Sequence, residues 1–173
     1  MAESPASSVE LANLREKFID LTNSLFQDGF LNNQFTQLQM LQDASNPEFV
    51  SEVITLFWED SERLLMELTK ELHKDPVDYR KVRAYVHQFE GSSSSVGARR
   101  LEALCVDFRG YAESKNGKGC LQSLQSIKEE LSLNKHKLDS LLKRSRLLQP
   151  VGHLQWSIKQ SCLPNAVNDA SKR

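Results

Sequence analysis

One histidine in this chain is surrounded by unusually small residues. His87 opens the segment 87–98, HQFEGSSSSVGA, in which four serines lie between two glycines. Imidazole is mostly uncharged in water at pH 7 and can act as a nucleophile. Side chains as small as these leave room for a large partner to approach closely. The segment therefore indicates a nucleophilic histidine that serves a docked partner.

The apolar pattern around His87 is that of a helix with the histidine on its outer side. At about 100° per residue, Phe89 and Val96 fall within roughly 40° of Val82, whereas His87 falls at about 140°. Gly91 follows one turn later, and a glycine inside a helix costs up to ~1 kcal/mol relative to alanine. Gly91 is therefore hard to explain as part of the scaffold and indicates clearance for a partner.

The same segment resembles the signature of a known family. The pattern H-Q-x-K-G-S-S-S-S-x-G-A surrounds the phospho-accepting histidine of plant histidine-containing phosphotransfer proteins. The chain matches it at His87, Gln88, Gly91, the serine run, Gly97 and Ala98. Further matches lie at 27–31, at 46–50 and between Cys105 and Leu121, including Phe108 and Arg109, so that the resemblance spans residues 9 to 147. The chain departs from the signature three residues after the histidine, where Glu90 replaces the family's lysine.

The resemblance implies a phosphorelay carrier and not an autonomous enzyme. His87 would accept a phosphoryl group from the receiver domain of a sensor hybrid histidine kinase and pass it to a response regulator, as in cytokinin-type signalling in plants. The receiver domain would supply the Mg²⁺ ion, a lysine and the acceptor carboxylate. This chain would then need no cofactor or metal of its own, because its part in catalysis is mostly positioning.

The resemblance and the helix geometry together assign roles to the residues near His87. Gln88 would hold the imidazole ring or a neighbouring helix, and Gly91 would give the receiver's loops room. Ser94 would donate a hydrogen bond to the phosphoryl oxygens. Arg83, one turn before the histidine, is the nearest cation in sequence.

Glu90 is the residue that complicates this interpretation. A carboxylate beside His87 should favour the imidazolium form and repel the phosphoryl dianion, at a cost of ~1 kcal/mol at an exposed site. We expect phosphorylation to be slower or less stable than in relatives that carry lysine. Two other interpretations stay open: a receiver-binding decoy or inhibitor with weak transfer, and a helical scaffold unrelated to phosphate.

The apolar residues of the chain repeat at intervals of three and four, and no segment alternates as a strand would. The pattern predicts an all-α protein with helices at 9–28, around 35–41, and at 47–73, 75–97, 99–114 and 120–143. Asp75 is expected to be the N-terminal cap of the helix that carries His87. Four long helices with short connections predict an antiparallel up-down four-helix bundle, and the first two helices are expected to cap one end.

Domain boundaries follow from where this pattern begins and ends. We expect residues 1–8 to be disordered, 9–144 to form the helical domain, and 145–173 to form a basic, flexible tail. The tail carries four basic residues and one acidic residue. Whether 154–158 is a short amphipathic docking segment stays open.

The composition excludes several classes of function. A chain of 173 residues with 39% apolar content fits one domain. A net charge of −1 gives no case for binding nucleic acid or a membrane surface. We expect a monomer that binds other proteins, located in the cytoplasm and nucleus, since the N-terminus lacks a secretory signal.

The other residues that could do chemistry lack a supporting pattern. The cysteines are spaced like neither a zinc site nor a disulfide framework, and the remaining histidines have no comparable surround. We expect buried or incidental thiols and surface histidines at these positions: Cys105, Cys120, Cys162, His73, His136 and His153.

Overall fold

A computed structural model of the chain describes residues 5–148, with side chains from Ser7 onward. This part of the chain forms six α-helices and contains no β-strand, which confirms the all-α class. The helices are α1 (Pro5–Gln27), α2 (Asn33–Leu41), α3 (Phe49–Leu72), α4 (Tyr79–Ser95), α5 (Arg99–Glu113) and α6 (Gly117–Leu148).

Helices α3 to α6 form the predicted four-helix bundle. Each packs against the next in sequence, and α3 also packs against α6, which closes the ring. The antiparallel course of α3 and α6 is fixed by polar contacts: Arg146 bonds to Glu48 and Ser51 at the start of α3, and Trp58 Nε1 donates to Asn134 Oδ1 at 3.3 Å. The residues of the core are apolar and almost fully buried, among them Ile54, Leu64, Leu68, Val82, Val86, Phe89, Leu101, Phe108, Ile127 and Leu138.

The two N-terminal helices complete the domain around this bundle. Helix α1 packs against α6, and α2 contacts α3 and α4. The segment between α1 and α2 reaches the turn from α4 to α5, where Asn32 N donates to Gly97 O at 3.0 Å. Gly97 has φ +75°, and a Cβ there would lie 2.5 Å from Phe35 N. Only glycine fits at this position. Gly97 therefore allows the end of the histidine's helix to pack closely against α2.

The helical domain extends beyond both predicted ends. Helix α1 begins at Pro5, so residues 5–8, which we expected to be disordered, belong to a helix. Proline suits a first helical turn because its missing N–H has no partner there. Helix α6 continues to Leu148, past the predicted boundary at 144, and Leu148 is buried at that end. The rest of the predicted tail, 149–173, lies outside the described residues.

Other helix starts also differ from prediction, and α3 begins at Phe49 instead of residue 47. The histidine's helix begins at Tyr79, and its cap is Asp78 instead of the expected Asp75, because the Asp78 carboxylate accepts from the backbone N–H groups of the first turn. Helix α6 begins three residues early, since Asn116 Oδ1 accepts from Gly119 N at 2.9 Å and orders the predicted turn as a helix start. None of the described helices is both long and apolar enough to cross a membrane.

Candidate functional site

His87 lies in the middle of α4, which is flanked by α3 on one side and α5 on the other. Its side chain is exposed, as the helical pattern predicts, whereas Val86 and Phe89 beside it are fully buried. Within the described part of the chain, the imidazole makes no hydrogen bond and no ion pair. The buried neighbours fix the helix, and the ring stays available to a partner.

Gly91 lies one turn after His87 on the same exposed side of α4. A Cβ built on Gly91 would meet no neighbouring heavy atom within 4 Å. Nothing in the packing of the domain therefore requires glycine at this position. The prediction that Gly91 provides clearance for a partner gains support from this open space.

The serine run divides between the core and the surface. Ser93 is fully buried, while the hydroxyls of Ser92 and Ser95 donate to the backbone carbonyls of Phe89 and Ser92 at 3.1 and 2.8 Å. Ser94 is half-buried, and its hydroxyl has no hydrogen-bond partner among residues 5–148. Of the four hydroxyls, that of Ser94 best fits the predicted role of meeting an incoming anion.

Arg83 and Gln88 were also assigned roles from the sequence. Arg83 is half-buried and Gln88 is exposed. Neither side chain forms a hydrogen bond or an ion pair with another described residue. The structure thus leaves both groups free beside His87, and their contacts with the ring or with phosphate stay predictions.

Glu90 forms an ion pair with a residue of the neighbouring helix α5. Arg109 of α5 donates through Nη1 to both carboxylate oxygens of Glu90, at 2.9 and 2.7 Å. The Glu90 side chain is only 19% exposed and that of Arg109 is 38% exposed. The expected repulsion assumed an unpaired carboxylate, whereas the structure shows one whose charge is balanced by an arginine.

The buried thiol of Cys105 on α5 lies near the Glu90 carboxylate. Burial, together with the nearby carboxylates of Glu90 and Glu102, raises the pKa of Cys105 to about 12. Cys105 is fully buried on α5. The Glu90 carboxylate therefore lies on the side of α4 that faces α5, where Arg109 binds it.

Comparison with known families identifies the type of domain. Residues 52–146, which include His87, the serine run and Arg109, match the Hpt domain family. The chain belongs to the Hpt-domain family. It is also 47% identical, over 78% of its length and 88% of the relative's, to histidine-containing phosphotransfer protein 1 of Arabidopsis thaliana.

Solved structures of Hpt proteins agree with this fold. The crystal structure of a histidine-containing phosphotransfer protein from Medicago truncatula superimposes with a TM-score of 0.75 at 42% identity, covering 80% of this chain and 95% of that one. A rice relative named pseudo histidine-containing phosphotransfer protein 2 is 39% identical over 87% of this chain and 97% of its own. The chain is thus similar both to histidine-containing phosphotransfer proteins and to one named as a pseudo protein. Overall similarity does not separate these two groups, and the functional argument therefore depends on the residues of the site.

Sequence reasoning about this Hpt site missed one residue, Arg109. The sequence matched it to the family but gave it no role, because the register between α4 and α5 cannot be read from one chain. The only available signal was that a basic residue, Arg109, lies on the helix that follows the one carrying the acidic Glu90. Within residues 5–148, no three His, Cys, Asp or Glu side chains lie together in a way that could hold a metal ion.

Proposed function

We propose that this Hpt-domain protein carries a phosphoryl group on His87 between receiver domains. The observation that carries the proposal is the exposed, unpartnered imidazole on a helix whose other side is fully buried. The open surface at Gly91 and the free hydroxyl of Ser94 support it. The family of the chain supports it independently of the geometry.

The chemistry requires little from this chain beyond position. The Nε2 lone pair of a neutral imidazole attacks the phosphorus of an aspartyl phosphate, the N–P bond forms, and the P–O bond to the aspartate breaks. The aspartate leaves as a carboxylate, and the proton on Nδ1 of the product passes to water. The reverse sequence delivers the group to the next aspartate.

The partners follow from this reaction. The donor would be the receiver domain of a sensor hybrid histidine kinase and the acceptor a response regulator, as in cytokinin-type signalling. In this scheme each receiver supplies Mg²⁺, so the Hpt protein is a carrier without a cofactor and not an autonomous enzyme. We place the monomeric carrier in the cytoplasm and nucleus, where both classes of partner would be reached.

The alternative is a decoy that docks receivers without accepting phosphate. Its strongest argument from the sequence was the negative charge of Glu90. The pairing of Glu90 with Arg109 weakens that argument, because a guanidinium balances the charge of the carboxylate. Retention of His87 also favours the carrier.

Incubation with a phosphorylated receiver domain and Mg²⁺ separates these possibilities. The carrier should acquire an acid-labile, base-stable label, which mass spectrometry should place on His87. His87→Gln should abolish the label. His136→Gln removes an exposed histidine from a different helix, α6, and should retain the label. Receiver binding without any label would indicate the decoy, and absence of both binding and label would indicate the scaffold.

A further inference from the structure

Arg109 has donors that Glu90 does not use. A guanidinium carries N–H groups on three nitrogens, and only Nη1 contacts the two Glu90 oxygens. Nε lies 3.9 Å from Glu113 Oε1, which is too long for a hydrogen bond. Nη2 donates no hydrogen bond to any described residue. With its side chain 38% exposed, Arg109 can bind a second anion without releasing the first.

The position of Arg109 places these donors near the histidine. Glu90 follows His87 by three residues, and side chains at that spacing lie on the same part of a helix, with Cβ atoms about 5–6 Å apart. Because the guanidinium contacts the Glu90 carboxylate directly, it lies at the α5 edge of the surface that carries His87. A phosphoryl group on His87 would extend outward from that surface.

We propose that Arg109 is a phosphoryl-binding residue of this Hpt protein, held in position by Glu90. The inference rests on the proposed function of His87 and adds a residue from α5 to a site that the sequence placed wholly on α4. Nη1 stays on the carboxylate, and Nη2 or Nε donates to a phosphoryl oxygen as the N–P bond forms. The guanidinium then offsets the charge of the phosphoryl group, while its pairing offsets the charge of Glu90.

Glu90 contributes to this arrangement by ordering a long side chain. An arginine on an exposed helix surface loses rotamer freedom when it binds an anion, and a pre-formed ion pair removes part of that loss. The carboxylate and the guanidinium therefore act as one unit. Removal of the arginine alone leaves an unpaired carboxylate beside the phosphoryl group, whereas removal of both leaves a neutral surface.

A double-mutant cycle on Glu90 and Arg109 tests the unit. We expect Arg109→Gln to lower kcat/KM for transfer from a phosphorylated receiver to His87 about tenfold, a loss of roughly 1.4 kcal/mol. In the Glu90→Gln background the same change should cost only about threefold, because no unpaired carboxylate remains. Glu90→Gln alone should lower kcat/KM about twofold, because Arg109 loses the partner that orders it. Arg109→Lys should recover part of the loss, since it keeps the charge but lacks the planar set of donors.

Arg146→Gln is the matched control, because it removes a similarly exposed arginine from an ion pair with Glu48 at the start of α3. It should leave transfer unchanged. An effect of Arg109→Gln no larger than that of Arg146→Gln, or an equal loss in the Glu90 and Gln backgrounds, would overturn the inference. If the Glu90–Arg109 pair only held α4 to α5, its removal would lower the thermal midpoint, and the effect of Arg109→Gln on the transfer rate would be the same with Glu90 and with Glu90→Gln. Failure of the wild type to accept phosphate would instead refute the proposed function.

Discussion

Replacement of Gly91 by alanine should make this protein more stable and a poorer partner in phosphotransfer. Gly91 lies in the interior of α4, is exposed, and has open space where its Cβ would be. Neither packing nor backbone geometry requires glycine there, since the glycines with positive φ are Gly29 and Gly97 among the described residues. We therefore infer that Gly91 serves the binding of a partner and not the folding of the domain.

The two effects have opposite signs and can be estimated separately. Alanine is about 0.5–1 kcal/mol more favourable than glycine in an exposed helix interior, which should raise Tm by about 1–4 °C in a chain of this size. A methyl group added to a close-packed surface costs about 1–3 kcal/mol. At the docked surface around His87 this corresponds to a complex weakened about 5- to 150-fold.

Thermal denaturation and kcat/KM for transfer from a phosphorylated receiver measure the two effects on the same variant. Gly110→Ala is the matched control, since Gly110 is also an exposed glycine in a helix with no neighbouring atom within 4 Å of its Cβ position. Both variants should gain stability, and Gly91→Ala should lose far more activity. If Gly91→Ala transferred phosphate as fast as Gly110→Ala, clearance beside His87 would not be the role of Gly91.

Three further substitutions or treatments test the scaffold. Gly97→Ala should lower the free energy of unfolding by about 2–4 kcal/mol, because it strains a positive φ and drives a methyl group into the backbone of Phe35; an unchanged urea midpoint would contradict this. Burial raises the pKa of Glu130 and Arg100 lowers it, so Arg100→Gln should raise that pKa further. Above the folded-state pKa of Glu130, the free energy of unfolding of the variant should be lower by about 1–3 kcal/mol. This loss should disappear as the pH falls towards the pKa of a free carboxyl group. A loss that did not depend on pH would show that Arg100 does not act through the charge of Glu130. The pKa of Cys105, raised to about 12, leaves a thiolate fraction of about 10⁻⁴ at pH 8; iodoacetamide should therefore modify Cys105 only in denaturant, and native labelling at the denatured rate would show that the thiol is accessible.

Local sequence patterns were sufficient for the helices and for the outward direction of His87. Both depend on residues three or four positions apart, and the side on which such residues lie is set by the helix itself. The same reasoning chose the wrong N-cap for α4, because Asp75 and Asp78 are chemically equivalent. Only the backbone path after Pro76 decides which carboxylate faces the free N–H groups of the first turn.

Contacts between distant segments were beyond the reach of these patterns. Gly97 could be recognised as part of a motif, but its need for glycine comes from Phe35 and Asn32, which approach it only in the folded domain. The pairing of Glu90 with Arg109 depends in the same way on how α4 and α5 align. A shift of one residue in that register would turn Arg109 away by about 100° and leave the carboxylate unpaired.

The charge at residue 90 therefore has to be interpreted together with residue 109. Considered alone, a carboxylate in place of the family's lysine argues for weak transfer and hence for a decoy. Across the helix boundary, however, the guanidinium balances that carboxylate and keeps unused donors at the edge of the histidine's surface. A cation contributed from α5 can offset the phosphoryl charge that a lysine on α4 would otherwise meet. A chain with Glu90 and no basic residue at 109 would be the better candidate for a decoy, because its carboxylate would face the phosphoryl group unpaired.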